Sequence, residues 1–501
     1  MDNTRGAAAP GASAPGAAAP GAVAREYDAI VVGSGPNGLA AAITMQEAGL
    51  SVLLVEGKET IGGGMRTLEL TLPGYKHDIC SAIHPMALMS PFFRRLPLAD
   101  FGLKFAQPTH DAAHPLDGGR VAVLDQSVEA TAARLGVDGP VYQKWMGNLL
   151  ESIPALLPDL LGPLQWPGEP FRLAEFGLAA LLPATWTAGK FKTAEARALW
   201  AGMAAHSIQP LGNIATSAFG IMLMAAAHMK GWVIPVGGSQ SIADALAAYY
   251  QSLGGTIQTG WMVESVDELP SAKVVLMDVT PRQLVRIAAN RLSSSYKKRL
   301  ESYRHGPGIF KVDWALDEPI PFMREECRGA GTVHLGNTFE EIVRYERHVG
   351  NGRRGEKPFA LVAQQSLFDS TRAPEGKHTA WAYCHVPNGD DRDMTEALES
   401  QIERYAPGFR QTVKAKHSTN ASAFEQYNPN YIGGDINGGI QDILQLYSRP
   451  VLSISPYRTS AKDIYICSSS TPPGGGVHGM CGYHAARQAL QDVFKIEVKR
   501  A

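Results

Sequence analysis

Residues 27–67 read YDAIVVGSGPNGLAAAITMQEAGLSVLLVEGKETIGGGMRT, and this stretch decides the fold. Tyr27 to Gly33 form a short apolar run that predicts a buried strand. A glycine turn follows, then a helix over about 37–48, then a second apolar strand ending at Glu56. Strand, glycine turn, helix and strand within roughly 30 residues form the βαβ unit that binds a dinucleotide. Gly33, Gly35 and Gly38 satisfy GxGxxG: the first permits the tight turn, the second lets a pyrophosphate approach the backbone, and the third lets helix and strand pack closely. Ser34 and Asn37 stand in the same turn and are expected among the cofactor-binding residues. The helix N-terminus supplies amide donors and partial positive charge to the phosphates. Glu56 closes the second strand 18 residues after Gly38, where a carboxylate accepts hydrogen bonds from the hydroxyls of an unphosphorylated ribose.

The far end of the chain carries a matching stretch. Residues 465–490 read YICSSSTPPGGGVHGMCGYHAARQAL, a strand, a glycine loop and a helix whose N-terminus again suits a cofactor. With 501 residues the chain is long enough for two domains. Its 46 basic and 48 acidic residues give no electrostatic reason to expect nucleic acid as a partner. The five cysteines, Cys80, Cys327, Cys384, Cys467 and Cys481, contain no CxxC pair. That disfavours a disulfide scaffold and a cysteine zinc site, and it removes the dithiol that a disulfide reductase needs. No HExxH, GxSxG or P-loop occurs, and no metal site is expected. Residues 1–24, almost wholly Ala, Gly and Pro, are expected to form a disordered tail without signal or transit character. The expected location is cytoplasmic, with peripheral membrane contact left open.

Between the two ends the pattern changes. From about residue 107 to 232 Pro and Trp are frequent and helical apolar patterns dominate. Ile153–Phe191 and Ala215–Trp232 are the most membrane-like regions. They read either as helices walling an apolar pocket or as a face that docks on a membrane. PVGGSQSIADALAAYYQSLGGTIQTGWMVESV predicts a glycine turn, a helix, a glycine stop and two β segments. KVVLMDVT (273–280) predicts a buried strand followed by a helix from Pro281. From Gly308 to about Tyr447 the chain looks β-rich, with strand candidates GIFKVDWALDEPIP, PFALVAQQSLF and KHTAWAYCHVP, and one helix, MTEALESQIERYAPGF. Tyr431 and Tyr447 flank a glycine-rich loop that reads either as a lid or as a turn-rich connection, with Asp435 as a turn residue.

These motifs in this order resemble the glutathione-reductase-type flavoproteins, in the branch that holds amine oxidases and phytoene desaturases. The resemblance covers roughly residues 26–495 and is carried by Glu56, the following GGGMRT, the segment around Val263 and the closing GGGVHGM. KVDWALDEPIPF, ERYAPGF and STPPGGGVHGM are similar to the phytoene-desaturase side in particular, in the subgroup called pyridine nucleotide-disulfide oxidoreductase domain proteins. The resemblance implies FAD as cofactor, contacted by Gly63, Gly64, Met65 and Arg66, by the Val263 backbone at the adenine, and by Gly475, Gly476, Val477, His478 and Met480 at the flavin end. This chain has Gly-Met-Arg where many relatives have Gly-Arg. It has Ser468 and Ser469 where many carry an acid for the ribityl chain.

The fold that follows is α/β: a discontinuous FAD-binding Rossmann-type domain of the glutathione-reductase type (25–106, 234–305 and 450–501) with an inserted mixed α/β substrate domain (107–233 and 306–449). The implied chemistry is hydride transfer between flavin N5 and an apolar, polyene- or isoprenoid-like small molecule, desaturating, saturating or isomerising C–C bonds. Oxygen, quinone and nicotinamide all stay open as electron acceptors, and oligomeric state is unread. His478 and His84 are the acid–base candidates, each with a hydrogen-bonded structural role as the plainer reading; His228 is read as structural. One rival is a flavin amine oxidase, which in the related branch uses a lysine-held water and an aromatic cage. Another is an FAD-binding interaction protein with little catalysis.

Overall fold

The computed structural model describes residues 26–446 and 448–498. The expected tail over 1–24 and Tyr447 lie outside them. Two sheets organise the molecule. The first is wholly parallel, with strands in the order Ile464–Ile466, Ala272–Met277, Tyr27–Val32, Val52–Val55, Thr256–Gln258. Strand alternation divides its apolar residues between two cores. Ala29 and Val31 pack with the helix Pro36–Glu47. Ile30 and Val32 pack on the other side with Leu284, Ile287, Tyr296 and Leu300 of the helices Pro281–Ile287 and Ser294–Glu301. Because both faces are covered, the inner strands are apolar over most of their length, whereas the edge strand Thr256–Gln258 is partly exposed.

The second sheet is mixed and has seven strands: Val413–Thr419, Gly308–Leu316, His378–Val386, Ala360–Ala363, Ala330–Leu335, His110–Leu116, Arg120–Leu124. Ala330–Leu335 runs parallel to His110–Leu116, and the other neighbours are antiparallel. Two of these strands correct the sequence reading. His110–Leu124 is a hairpin, in a stretch expected to be helical. It turns at Gly118 and Gly119, both in the left-handed region at φ +79° and +77°, which suits glycine. The helical expectation holds beyond it, over Gly139–Leu160, Pro170–Ala180, Ala194–Ala204 and Thr216–Lys230. The second β segment expected around WMVESV is irregular backbone, tied to the first sheet by Trp261 N–H donating to the Glu56 carbonyl at 2.9 Å. The strands Ala330–Leu335 and Val413–Thr419 and the helix Phe339–Gly350 were not expected either.

The two ends of the chain meet. The helix Met480–Ala489 crosses the helix Pro36–Glu47 at Gly482, where a Cβ would stand 1.8 Å from the Asn37 carbonyl oxygen. Only a residue without a side chain allows that approach.

Candidate functional site

One cavity of about 1200 Å³ joins every motif read from the sequence. It opens at the C-terminal ends of the parallel strands, where Gly33, Glu56, Asp278 and Ser468 each follow a strand, the usual ligand position in such sheets. From there it runs between the helical segments 159–182 and 215–223 and the mixed sheet, which contributes Thr332, Leu361, Trp381 and Tyr383. So Ile153–Phe191 and Ala215–Trp232 do supply helices that wall an apolar pocket.

Gly33, Ser34, Gly35 and Asn37 line the cavity. Gly38 is required for packing: its Cβ would stand 1.9 Å from the Gly33 carbonyl oxygen. Gly35 has a reason beyond pyrophosphate approach, since its Cβ would meet Asp278 Oδ2 at 2.9 Å. Glu56, 8% exposed, is held from four directions. Its Oε2 accepts from Ser34 N–H at 3.0 Å and Ser34 Oγ–H at 2.5 Å; its Oε1 accepts from Lys58 N–H at 2.9 Å and pairs with Arg66 Nη2 at 3.0 Å. Arg66 is further fixed by donating to the Thr60 carbonyl at 2.7 and 2.9 Å. Gly63, Gly64 and Arg66 line the cavity, whereas the Met65 side chain is fully buried in the hydrophobic core. The tight turn Gly63–Met65 rotates it inward, so only its backbone is available to a ligand.

The residues present fit an FAD. Val263 lines the cavity, and neither its N–H nor its carbonyl has a partner among the described residues, as a backbone that pairs with adenine must. Asn37 Oδ1, buried in the turn, also lacks a partner. Gly63 lies so close to Gly35 that a Cβ would sit 2.9 Å from the Gly35 Cα. The two glycine segments thereby form one backbone-lined trough. Gly475, Gly476, Val477 and His478 line the cavity from the other chain end, with Ser468 and Ser469. Met480 lies behind them, buried, its N–H donating to His478 Nδ1 at 3.1 Å.

The two histidines proposed as acid–base groups are both on the wall and both neutral. Burial pushes His478 down to about 4, against the backbone hydrogen bonds of Gly475 and Gly474. Burial likewise pushes His84 down to about 4. His84 Nε2 lies 2.8 Å from Ser239 Oγ, whose own proton goes to the Ser81 carbonyl, so His84 is the donor there. These contacts are those of positioned structural rings. His228 bonds Tyr142 and the Gln126 carbonyl. Asp435 caps its loop by accepting from Gly306 and Asn437 N–H. That loop is a buried connection whose Ile436, Asn437 and Gly438 form cavity wall.

Asp278, His206, Trp381 and Tyr383 line the cavity and escaped the sequence reading, as did the Lys311–Asp313 pair behind Trp381. Asp278 accepts a 2.8 Å hydrogen bond from Gly38 N–H, and burial, with Glu56 nearby, pushes its carboxyl up to about 7. Lys311 is buried and ion-paired with Asp313, which also faces His77 Nδ1 at 3.5 Å. Burial works against the Asp313 charge, yet Lys311 and His77 hold its carboxyl below the usual range. Lys311 Nζ lies 5.8 Å from the Trp381 ring. Trp381 stacks on Tyr383 with centroids 5.7 Å apart and an interplanar angle of 17°. A lysine and an aspartate two apart in an apolar strand share one face, and that pattern in GIFKVDW was the available signal. His206, on the cavity wall, gave none.

Fold and site together define an FAD-dependent oxidoreductase. The chain belongs to the flavin-containing amine oxidoreductase family, matched over residues 37–480. It is 25% identical to the rat pyridine nucleotide-disulfide oxidoreductase domain-containing protein 2, over 93% of this chain and 94% of that one. It is 25% identical to a phytoene dehydrogenase of Streptomyces griseus, over 72% and 73% of the two chains. Cyclohexylamine oxidase from Brevibacterium oxydans shares the fold, with a TM-score of 0.55 at 16% identity over 94% of this chain and 99% of that one. All five cysteines of this chain are free, and none stands in a CxxC pair.

Proposed function

We propose that this enzyme transfers hydride between FAD and an apolar small molecule, changing the order of a C–C bond. The observation that carries the reading is the wall beyond the nucleotide trough: Leu161, Leu173, Phe176, Leu182, Phe219 and Met222 all face the cavity. Such a wall orients a greasy chain by shape and keeps water from the reacting carbon. Bound FAD supplies the hydride acceptor or donor. The chain's part is to hold the cofactor by Glu56, Arg66 and the glycine turns and to seat the substrate against it. The phytoene named for the Streptomyces relative has this apolar character. The test is anaerobic mixing of the FAD-loaded protein with isoprenoid substrates in both redox directions. Bleaching or return of the flavin absorbance is expected; inertness toward every such compound sinks the reading.

The amine oxidase alternative has a specific observation in its favour and one against it. Lys311 beside Trp381 and Tyr383 supplies the residue types. The two rings, however, stack on one another at 5.7 Å and leave no slot for an amine between them. Peroxide release from an amine panel, absent with isoprenoids, would decide for that alternative.

The cavity mouth supports a membrane-docking reading. Leu164 and Leu178 line it, and Leu178, Trp166 and Phe171 are 78%, 87% and 90% exposed. No helix among the described residues is long and apolar enough to cross a membrane. An exposed Trp, Phe and Leu rim around a greasy cavity suits shallow insertion beside lipid headgroups. Flotation with phosphatidylcholine vesicles is expected for the wild type. Trp166→Ser with Phe171→Ser is expected to abolish it, and flotation unchanged by that pair refutes docking by this rim.

A further inference from the structure

The mixed sheet sends Thr332, Leu361, Trp381 and Tyr383 to the cavity. Two of these carry a hydroxyl. Thr332 Oγ1 accepts from Trp232 Nε1–H at 2.8 Å. The Tyr383 hydroxyl has no hydrogen-bond partner among the described residues, and it is not enclosed by the protein either: the residue is partly open and lines the cavity. It is the hydroxyl that the sheet leaves to whatever fills this space.

Its position is fixed by its own strand. Trp381, Tyr383 and His385 alternate along His378–Val386 and project to one side of the sheet. The Tyr383 ring stacks on Trp381 at an interplanar angle of 17° and meets His385 with centroids 5.8 Å apart. The oxygen lies on the ring axis, so it cannot swing to a protein acceptor unless the ring leaves this stack. Tyr383 also packs against the cluster that contains Tyr431 and adjoins Cys80. That cluster borders Gly64, one of the glycines expected to contact the flavin: a Cβ there would meet Tyr431 Oη at 2.6 Å. Burial, with Cys80 and Glu346 nearby, pushes the phenol above its ordinary value, so it keeps its proton near neutral pH. A protonated hydroxyl surrounded by hydrocarbon is left unpaired at a cost in free energy, and an oxygen on the ligand removes that cost.

We propose that the Tyr383 hydroxyl donates a hydrogen bond to a carbonyl or ether oxygen of the substrate, so that the substrate is an oxygen-bearing apolar chain or ring and not a bare hydrocarbon. The proposal rests on reading the cavity as the substrate site. Tyr383 binds and orients there, and no proton is transferred. A carboxylate fits less well than a neutral oxygen. Lys311 stands opposite Tyr383 on the neighbouring strand, but its charge is taken by Asp313, so a buried anion finds no free cation beside the hydroxyl. An ammonium has no lone pair to accept the Tyr383 proton.

The test titrates FAD-loaded wild type and Tyr383→Phe with farnesyl methyl ether and farnesyl methyl sulfide, following the perturbation of the flavin spectrum. The two ligands are nearly the same shape, but sulfur is the weaker acceptor and the more apolar atom. The variant removes one oxygen and keeps the stacked ring. The wild type is expected to prefer the ether, and the ratio of the two affinities is expected to fall about tenfold in the variant. FAD content and melting temperature are expected to stay unchanged. Should the variant not fold, the order of the two ligands in the wild type decides alone. A wild type that binds the sulfide as tightly as the ether, or a ratio that the variant leaves unchanged, overturns the proposal. So does a variant that binds FAD more weakly, since the hydroxyl then serves the cofactor. An ether preference in a protein whose flavin no isoprenoid reduces would sustain the oxygen site and sink the redox reading.

Discussion

Glu56 stands where the sequence places a ribose acceptor, and its surroundings sharpen that role. All four of its lone-pair positions already hold protein donors: Ser34 N–H, Ser34 Oγ–H, Lys58 N–H and Arg66. A ribose hydroxyl must displace one, and the Ser34 hydroxyl is the donor whose proton can turn about the Cβ–Oγ bond while Oγ goes on accepting from Gly62 N–H at 3.2 Å. Ser34→Ala is therefore expected to bind FAD at least as tightly as the wild type. Glu56→Ala is expected to lose tenfold or more in FAD affinity, because the ribose acceptor is gone, and separately to cost about 3 kcal/mol of stability, because Arg66 is then left buried without its carboxylate partner. Flavin fluorescence titration of the two variants checks both. Asp278 makes a second residue-scale prediction. Its carboxyl, pushed up to about 7 by burial and by Glu56, lies against the glycine turn where phosphate charge is expected. As pH rises through 7 it ionises and repels that charge, so FAD affinity should fall between pH 6 and 8. Asp278→Asn keeps an acceptor for Gly38 N–H and should flatten the pH profile. A wild-type affinity independent of pH over this range would remove Asp278 from the cofactor site.

At the scale of elements, the parts legible in the sequence are those whose local signal agrees with their burial. Tyr27–Val32 and Ala272–Met277 are apolar runs covered on both faces, and their glycine turns follow at once. The hairpin His110–Leu124 was not legible. HDAAHPL has two histidines, an aspartate and a proline in one strand, and its residues from Asp111 on are all buried only because the sheet neighbours and the helix Ala194–Ala204 enclose them. Much of that burial comes from the strand Ala330–Leu335 and the helix Ala194–Ala204, both remote in sequence, which no local pattern reports. Likewise His206 becomes a site residue only when sheet and helices close on the cavity. The contact between chain ends was implied by the paired motifs, yet its mechanism was not. Gly482 stands where a methyl group would overlap the Asn37 carbonyl. Gly482→Ala must push the helix Met480–Ala489 off the helix Pro36–Glu47, costing about 1–3 kcal/mol in overpacking. It should also lower FAD retention, since the same shift moves Val477 and His478. A variant with unchanged melting temperature and flavin content would show that the two helices have slack.

For the whole molecule, the balance of buried ionisable groups predicts how it responds to acid. Four fully buried histidines, His84, His114, His334 and His478, are all pushed below their ordinary value by burial. A histidine with a depressed folded pKa binds its proton more readily when unfolded. Its contribution is complete above the unfolded value of about 6.5 and is lost as pH falls toward 4. Two carboxyls act in the opposite sense. Asp111 and Asp278 are pushed up to about 7, chiefly by burial, and so bind protons in the folded state that the unfolded chain has released. Near pH 5 these four histidines, with His206, which burial pushes down to about 3, outweigh the two carboxyls by roughly three protons taken up on unfolding. Stability should then fall by about 4 kcal/mol for each pH unit lost near pH 5. Guanidinium unfolding of the cofactor-free protein at pH 7, 6 and 5 measures this slope. His114→Asn should reduce it by about one proton, because Asn337 keeps a donor and the titrating ring is gone. A slope near zero, or one that rises toward acid, would mean that Asp111 and Asp278 dominate and that the histidine array is solvated.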